Sequence, residues 1–293
     1  MSERFVVGLI GSDLGPSLSP PLHEREADEL GLRYFYQLID LDRLALDAEA
    51  VGELVASAQR LGFAGLNITH PCKQTVVKYL DALSPDAAAL GAVNTVTFRG
   101  GRAVGHNTDW SGFLTGFERG LPEAAVKHVV LLGAGGAGIA VAYALARLGA
   151  RRLTVVDVVL ERAERVAEAI RHALPGAAAT VEPAPAIEDV IDDLATADGL
   201  VNATPIGMTR RRETPLPPEL LRPDLWVADI VYRPLETELL QAARRVGCRT
   251  LHGGGMVVAQ AAAAFELFTG VEPDADRMLA HFAELVGGGA RVG

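Results

Sequence analysis

One glycine-rich segment constrains the fold of this 293-residue chain more than any other feature. Gly133-Ala134-Gly135-Gly136-Ala137-Gly138 fits the pattern G-x-G-x-x-G. The apolar run His128–Leu132 predicts a strand before it, and Gly136–Leu148 predicts a helix after it. In this context the first glycine permits a tight turn, the second lets a pyrophosphate approach the backbone, and the third lets the helix pack on the strand. The segment predicts a dinucleotide-binding unit; the alternative is a glycine-rich turn without a ligand.

An acid at the end of the next predicted strand bears on which dinucleotide would bind. Arg152–Asp157 reads as that strand, and Asp157 lies nineteen residues after Gly138. An acid there accepts hydrogen bonds from the ribose hydroxyls and repels a 2′-phosphate, so it favours NAD over NADP. The alternative is an exposed acid that only caps the following helix. Arg162 lies close enough in sequence to accommodate a phosphate, and NADP is therefore kept as the less favoured cofactor.

Alternating strand and helix patterns predict an α/β fold. Before residue 111 the predicted strands and helices are Phe5–Ile10, Pro20–Leu30 with Ser19 as N-cap, Tyr34–Ile39, Ala48–Leu61, Phe63–Ile68, helical segments within Val76–Leu90, and a hairpin of Asn94–Phe98 with Ala103–Gly105. We expect a substrate-binding, catalytic α/β domain over residues 1–110 and a doubly wound Rossmann domain over 111–250. The predicted helices Gly253–Thr269 and Asp274–Leu285 lie in residues 251–293, and we expect them to return to the first domain.

Composition excludes several classes of function. Lys and Arg number 27 against 37 Asp and Glu, a net charge of −10, which argues against nucleic acid or an anionic membrane as the main partner. No apolar run approaches the roughly 20 residues that span a bilayer, and the N-terminus has no signal-peptide pattern. Cys72 and Cys248 form no disulfide framework, so we expect a cytoplasmic protein with reduced thiols. No metal-ligand spacing of His or Cys occurs, and no metal is expected.

Polar residues gather in the loops that follow the predicted strands of the first domain. A dehydrogenase needs a proton acceptor beside the reacting carbon and groups that fix the substrate. The candidate residues are Ser17, Ser19, Asn67, Thr69, Lys73, Asn94 and Asp109. Each also has a structural interpretation, because such residues cap helices and close turns. Ligands of open α/β sheets bind beyond the carboxyl ends of strands, where these loops would meet.

These residues lie in motifs that resemble the shikimate/quinate dehydrogenase family over almost the whole chain. The matching segments, in order, are Ser17-Leu18-Ser19-Pro20, Gly65 to Pro71 with Lys73, Gly91 to Thr95, Gly105 to Asp109, Gly133 to Gly138, Asn202 to Met208, Asp229 to Pro234, and Met256 with Gln260. The pattern N-x-T-x-P-x-K followed by N-T-D is the most specific of them.

The resemblance implies reversible oxidation of the C3 hydroxyl of shikimate or quinate in a cleft between two domains. It implies Lys73 and Asp109 as the catalytic pair. It places the substrate carboxylate on Ser17 and Ser19 near Tyr232, and the ring hydroxyls on Asn67, Thr69, Asn94, Asp109 and Gln260. It adds a nicotinamide side lined by Thr204, Pro205, Gly207 and Met208, with Val231, Gly254 and Met256 as further cofactor contacts.

Two departures from the family pattern leave the specificity open. Members that use NADP carry Asn-Arg and then Ser or Thr after the second Rossmann strand, whereas Asp157-Val158-Val159 here looks like the NAD-using, quinate-tolerant branch. That branch often has threonine where this chain has Ser19. A biosynthetic NADP-dependent shikimate dehydrogenase, an aminoshikimate or aminoquinate dehydrogenase, and a non-catalytic dinucleotide-binding sensor stay as alternatives. Monomer and homodimer are both compatible with the sequence.

Overall fold

The computed structural model describes residues 4–15, 17–176, 179–209 and 211–288. Its chain divides into two compact units, Met1–Thr108 with Val258–Gly293, and Asp109–Val257. The positions of the domain boundaries predicted above, after residues 110 and 250, stay a prediction.

The order of strands and helices follows the alternation expected from the sequence. The strands are β1 (Arg4–Gly11), β2 (Arg33–Asp40), β3 (Gly65–Ile68), β4 (Ala82–Leu83), β5 (Thr95–Arg99), β6 (Arg102–His106), β7 (His128–Leu132), β8 (Arg152–Val156), β9 (Thr180–Ala184), β10 (Gly199–Asn202), β11 (Trp226–Asp229) and β12 (Arg249–His252). The helices are α1 (Ser19–Glu29), α2 (Leu41–Leu44), α3 (Val51–Arg60), α4 (Pro85–Leu90), α5 (Asp109–Gly120), α6 (Gly136–Arg147), α7 (Leu160–Ala173), α8 (Ile191–Thr196), α9 (Glu238–Val246), α10 (Gly254–Thr269) and α11 (Ala275–Gly288).

The sheet of the first unit is mixed, in the order β2-β1-β3-β5-β6-β4. Strand β1 pairs in parallel with β2 and β3, whereas β5 runs antiparallel to β3 and β6. The carboxyl ends of β1, β3 and β6 therefore lie at the same edge as the start of β5. The predicted hairpin is confirmed as β5 with β6, and this edge of the sheet carries the polar loops.

The sheet of the second unit is entirely parallel, in the order β12-β11-β10-β7-β8-β9. Numbered from β7, this is the order 3-2-1-4-5-6 of a doubly wound dinucleotide-binding domain, so the predicted Rossmann fold is confirmed. The order reverses between β7 and β10, and ligands of doubly wound folds bind outside the strand ends at such a point.

Apolar periodicity explains why these segments fold as they do. The strand β7 is buried from Val129 to Leu132, as its unbroken apolar run requires in a sheet covered on both faces. In α7 the buried residues Ala163, Val166, Ala167 and Ile170 recur with helical spacing and form the stripe that packs inward.

One local prediction was wrong and another was incomplete. The N-cap of α1 is Leu18, whose carbonyl accepts the Leu22 N–H, and Ser19 is the first helical residue with its N–H donated to Ser17 Oγ. The helical segments predicted within Val76–Leu90 are present as the 3-10 helix Thr75–Tyr79 and as α4, and the prediction missed only strand β4 between them, which pairs with β6. Pairing between distant segments overrides local helical preference there.

The C-terminal helices pack on α1 in the first unit, as the fold prediction required. Glu26 of α1 is fully buried and accepts two hydrogen bonds from the Arg277 guanidinium of α11, at 2.9 and 2.6 Å. Its side chain also accepts the backbone N–H of Asp274, at 2.8 Å. A buried carboxylate is stable only when it is fully paired, so this contact fixes α11 in register on α1.

Titration of His23, also in α1, is expected to destabilise the fold in acid. The ring is 1% exposed among Tyr36, Phe265 and Phe268, with Nδ1 3.0 Å from the Tyr34 hydroxyl. Burial lowers the pKa of His23 from 6.5 to about 3. Between these values the unfolded chain binds the proton and the folded chain does not, so stability falls as the pH drops below 6.5.

A His23→Leu variant tests this effect. Its melting temperature should fall less between pH 7 and pH 4.5 than that of the unmodified protein, because one residue contributes up to about 1.4 kcal/mol per pH unit. Carboxylates that titrate in both proteins cancel in this comparison. Equal losses of melting temperature would show that His23 does not carry the acid sensitivity.

Candidate functional site

A network of buried amides and hydroxyls occupies the polar edge of the first sheet. Asn67 lies near the end of β3, and Tyr36 of β2 donates a hydrogen bond to its Oδ1 at 2.8 Å. The Asn67 Nδ2 donates to the Thr95 hydroxyl at 3.1 Å and to the Asn94 carbonyl at 3.3 Å. Since β3 and β5 pair at Asn67 and Thr95, the register of the sheet holds the two asparagines side by side.

Asn94 extends the same network to the end of β6 and to α10. Its Nδ2 donates to the Thr108 hydroxyl at 2.9 Å and to Gln260 Oε1 at 3.5 Å. Its Oδ1 accepts the Thr108 N–H at 2.8 Å. The structure thus brings the predicted residues Asn67, Asn94 and Gln260 together, and Thr108 directly precedes Asp109.

Lys73 and Thr69 follow β3 at this edge. The Thr69 N–H donates to the Ile10 carbonyl of β1 at 2.9 Å. Lys73 is half-buried, and its carbonyl accepts the Val93 N–H at 2.8 Å, which joins its loop to the one that carries Asn94. Asp109 begins α5 in the second unit and is 5% exposed. The pairing of Lys73 with Asp109 stays a prediction.

The residues predicted to hold the substrate carboxylate lie on two loops. Ser17 precedes α1 and Ser19 is the first residue of that helix; both are half-buried, and Ser17 Oγ accepts the Ser19 N–H at 3.3 Å. Tyr232 follows β11 in the second unit, and burial raises the pKa of its hydroxyl, which therefore keeps its proton near neutral pH. A protonated phenol and two serine hydroxyls are all donors that suit a carboxylate.

The glycine segment has the geometry that a bound pyrophosphate needs. Gly133 has φ of +96°, and a Cβ there would lie 2.8 Å from the Ala203 carbonyl. A Cβ on Gly138 would lie 2.0 Å from the Gly133 oxygen. At Gly135, the N-cap of α6, a Cβ would meet nothing within 4 Å. Two glycines thus serve close packing, whereas Gly135 leaves open space where phosphates can approach the helix N-terminus, and the segment fits a dinucleotide. Ala134, Gly136 and Ala137 complete this turn and the first turn of α6.

Asp157 connects this segment to the end of β8. One carboxylate oxygen accepts the Ala134 N–H at 2.8 Å and the other accepts the Val159 N–H at 2.9 Å. The half-buried acid thus lies directly beside the glycine turn. Val158 next to it is 89% exposed, and Arg162 is an exposed residue of the first turn of α7.

The remaining residues predicted to contact cofactor lie on loops of the second unit. Thr204, Pro205, Gly207 and Met208 follow β10, where Pro205 and Met208 are exposed and Gly207 has φ of +101°. Val231 is buried after β11. The Gly254 N–H donates to His252 Nδ1 at 3.1 Å, and Met256 is buried against Gly116 of α5. The loop after β10 and the glycine segment meet at Ala203, on the two sides of the switch point.

Five buried polar residues were given no role in the sequence predictions: Tyr36, Thr108, Asn202, Asp229 and Thr237. The alternation of β2 indicates that Tyr36 points inward, but it does not reveal the partner of its hydroxyl. Asn202 and Asp229 are the last residues of β10 and β11. Both lie in segments that resemble the family, and this position was the feature of the sequence that could have identified them.

Two further observations apply to the described part of the chain. No group of three or more His, Cys, Asp or Glu side chains there is placed to hold a metal ion. No helix in those ranges is long and apolar enough to cross a membrane.

Comparison with known families gives two matches along the chain. Residues 9–96 match the family described as shikimate dehydrogenase substrate binding domain. Residues 253–281 match the one described as shikimate 5′-dehydrogenase C-terminal domain.

Curated proteins and solved structures extend the similarity to nearly the full length. A shikimate dehydrogenase (NADP(+)) of Streptomyces avermitilis is 61% identical, with 97% of each chain covered. A quinate/shikimate dehydrogenase (NAD(+)) of Corynebacterium efficiens is 46% identical over 97% of this chain and 99% of its own. The structure of quinate dehydrogenase from Corynebacterium glutamicum in complex with NAD superposes with a TM-score of 0.88 at 45% identity, covering 96% of this chain and 99% of the other.

Proposed function

The chain belongs to the shikimate dehydrogenase family, and on that premise we propose that it is an NAD-dependent oxidoreductase acting reversibly on the C3 hydroxyl of shikimate, of quinate, or of both. The products would be 3-dehydroshikimate and 3-dehydroquinate. The observation that carries the proposal is the network of Asn67, Asn94, Thr108 and Gln260. These residues lie at the edge of the first sheet that carries the polar loops. Their amide and hydroxyl groups would bind the ring hydroxyls of the substrate.

Lys73 and Asp109 are the proposed catalytic pair. Loss of hydride from an alcohol carbon requires the hydroxyl proton to leave in step, and Lys73 would take that proton. Asp109 would orient the lysine and the hydroxyl. Ser17, Ser19 and Tyr232 would fix the carboxylate, and Thr69 would join the asparagines in binding ring hydroxyls. The nicotinamide of the bound cofactor would supply the hydride acceptor.

Asp157 supports NAD as the cofactor. Its carboxylate lies beside the glycine turn, where it opposes a 2′-phosphate, and the neighbouring Val158 offers no positive charge. The relatives are divided, since the S. avermitilis protein is named for NADP and the C. efficiens protein for NAD. An NADP-dependent shikimate dehydrogenase is therefore the second candidate, with Arg162 as the residue that would bind the phosphate.

The two remaining alternative functions predict different results in substrate and binding assays. An aminoshikimate or aminoquinate dehydrogenase would prefer an amino-substituted ring. A dinucleotide-binding sensor would bind NADH without turnover, although Lys73 and Asp109 would then have no evident use. Cytoplasmic location, a state of monomer or homodimer, and the absence of nucleic-acid, membrane and metal partners stay predictions.

A deuterium-transfer experiment tests the position of oxidation. Shikimate or quinate carrying deuterium at C3 should give reduced cofactor one mass unit heavier than the unlabelled compound gives. Substrate labelled at C4 or C5 is the control and should give unlabelled reduced cofactor. Turnover without transfer of deuterium from C3 would contradict the assignment of that hydroxyl.

A further inference from the structure

Three buried polar side chains lie at or just beyond the carboxyl ends of β10 and β11: Asn202 and Asp229 end these strands, and Thr237 follows β11. Asn202 is 0% exposed, and Asp229 and Thr237 are each 1% exposed. Asp229 Oδ1 accepts the Asn202 Nδ2–H at 3.0 Å and the Val231 N–H at 3.0 Å. Asp229 Oδ2 accepts the Thr237 hydroxyl at 2.7 Å. Thr237 is also the N-cap of α9, so the three side chains connect that helix to the end of β10.

Asn202, which is held by Asp229, also fixes the loop after β10. Asn202 Oδ1 accepts both the N–H and the hydroxyl of Thr204, at 3.1 and 2.7 Å, and Asn202 Nδ2 donates to the Ile206 carbonyl at 2.9 Å. The Thr204 hydroxyl in turn accepts the Ile206 N–H at 3.1 Å. Gly207 continues the loop with φ of +101°, and a Cβ there would lie 3.6 Å from Asp229 Oδ2. The Thr204 hydroxyl is therefore committed to holding its own loop.

This loop stands directly against the glycine segment. A Cβ on Gly133 would lie 2.8 Å from the Ala203 carbonyl and 3.0 Å from the Thr204 nitrogen. The two loops flank the point between β7 and β10 where the strand order reverses. A dinucleotide that crosses this point places its two halves on the two sides of it. A small displacement of the Thr204 loop would therefore disturb the nicotinamide half of the ligand and leave the adenosine half in place.

Keeping Asp229 in this position is costly for the fold. Burial raises the pKa of its carboxyl from 3.8 to about 6, although three donors converge on it. An apolar residue would avoid this cost, so the acid is better explained by the geometry that its two oxygens impose on their donors.

We propose that Asn202, Asp229 and Thr237 are positioning residues for the nicotinamide end of the cofactor, acting through the loop from Ala203 to Met208. The inference rests on the proposed dehydrogenase function in one respect: it takes the ligand of the second unit to be a nicotinamide dinucleotide. A purely structural role of these residues would stabilise the second unit without distinguishing one half of the ligand from the other.

Thr237→Val tests this distinction through binding. The valine removes the hydroxyl from Asp229 and nearly preserves the volume of the side chain, whereas Thr237→Ser restores the hydroxyl. Dissociation constants should be measured by calorimetry for NADH and for ADP-ribose, which lacks the nicotinamide. We expect Thr237→Val to weaken NADH binding about tenfold and ADP-ribose binding less than about twofold, because the loosened loop must be returned to its place when the nicotinamide half binds. Thr237→Ser should restore both values.

Thr154→Val is the matched control. Thr154 is another buried threonine of the second unit whose hydroxyl donates to a carboxylate, Asp193, at 3.1 Å, and it lies within β8. This variant should change neither dissociation constant. Asp229→Asn, which preserves the shape of the side chain, provides the same test if Thr237→Val does not fold, and it should again weaken NADH selectively.

The possible outcomes separate this inference from the proposed function. Equal weakening of NADH and ADP-ribose, or no weakening of either, would overturn the positioning role. Failure of the unmodified protein to bind NADH would overturn the proposed function. Binding of NADH without turnover would leave this test valid, because its readout is an affinity ratio.

Discussion

Replacing Lys73 with alanine is expected to lower kcat about a thousandfold, whereas the substrate dissociation constant changes less than about threefold. Proton transfer by a positioned side chain contributes roughly 10²- to 10⁴-fold, and alanine leaves no group to accept the hydroxyl proton. The proposed substrate contacts through Asn67, Asn94 and Gln260 stay in place. Steady-state kinetics should therefore be combined with equilibrium binding of shikimate or quinate to the variant.

Lys78 supplies the control for this experiment. It lies five residues further along the chain and forms an exposed ion pair with Glu49, at 2.6 Å. Exposed pairs of this kind contribute little to stability, so Lys78→Ala should keep nearly full activity. An unchanged kcat in Lys73→Ala would remove this lysine from the mechanism. A loss shared equally by both variants would indicate a general effect on this segment.

Replacing Gly135 with alanine is expected to weaken NADH binding about tenfold or more without loss of thermal stability. Its φ of −76° is allowed for alanine, and the added methyl group would meet no protein atom within 4 Å. The methyl group would instead occupy the space through which the pyrophosphate reaches the N-terminus of α6. The measurements are the NADH dissociation constant and the melting temperature of the ligand-free protein.

Two other glycines make this prediction specific. Gly287 in α11 also has open space around its missing Cβ, so Gly287→Ala should leave NADH binding unchanged. Gly138→Ala should instead destabilise the second unit by about 3 kcal/mol or more, because its Cβ would overlap the Gly133 carbonyl. Unchanged NADH affinity in Gly135→Ala would contradict the placement of the pyrophosphate.

Sequence patterns predicted the parts of the fold that depend on local periodicity. The strand–glycine–helix segment around Gly133 specified the Rossmann unit, because each of its residues has one local geometric task. The helix predicted over Gly136–Leu148 is α6, which ends one residue earlier at Arg147. The N-cap of α1 at Leu18 could not be predicted in the same way, since the start of α1 depends on the turn that precedes it. Strand β4 depends on pairing with β6, which is a contact between distant segments.

The sequence identified most residues of the candidate site, but only part of the hydrogen bonding that connects them. Asn67 and Asn94 could be named from their motifs, but their pairing depends on the register of β3 with β5. Tyr36 comes from a strand of ordinary composition, and only the folded sheet reveals its bond to Asn67. The link from Thr237 to Asp229 joins a helix cap to a strand end, and no local pattern specifies such a bond.

Initial rates at 340 nm test the central claim most directly. Shikimate and quinate should each be combined with NAD and with NADP at one mildly alkaline pH. The account predicts reduction of NAD by at least one of the two substrates, at a higher kcat/KM than reduction of NADP. Faster reduction of NADP would contradict the role given to Asp157 and direct attention to Arg162. No reduction with any combination, in a folded protein that binds NADH, would contradict the substrate assignment.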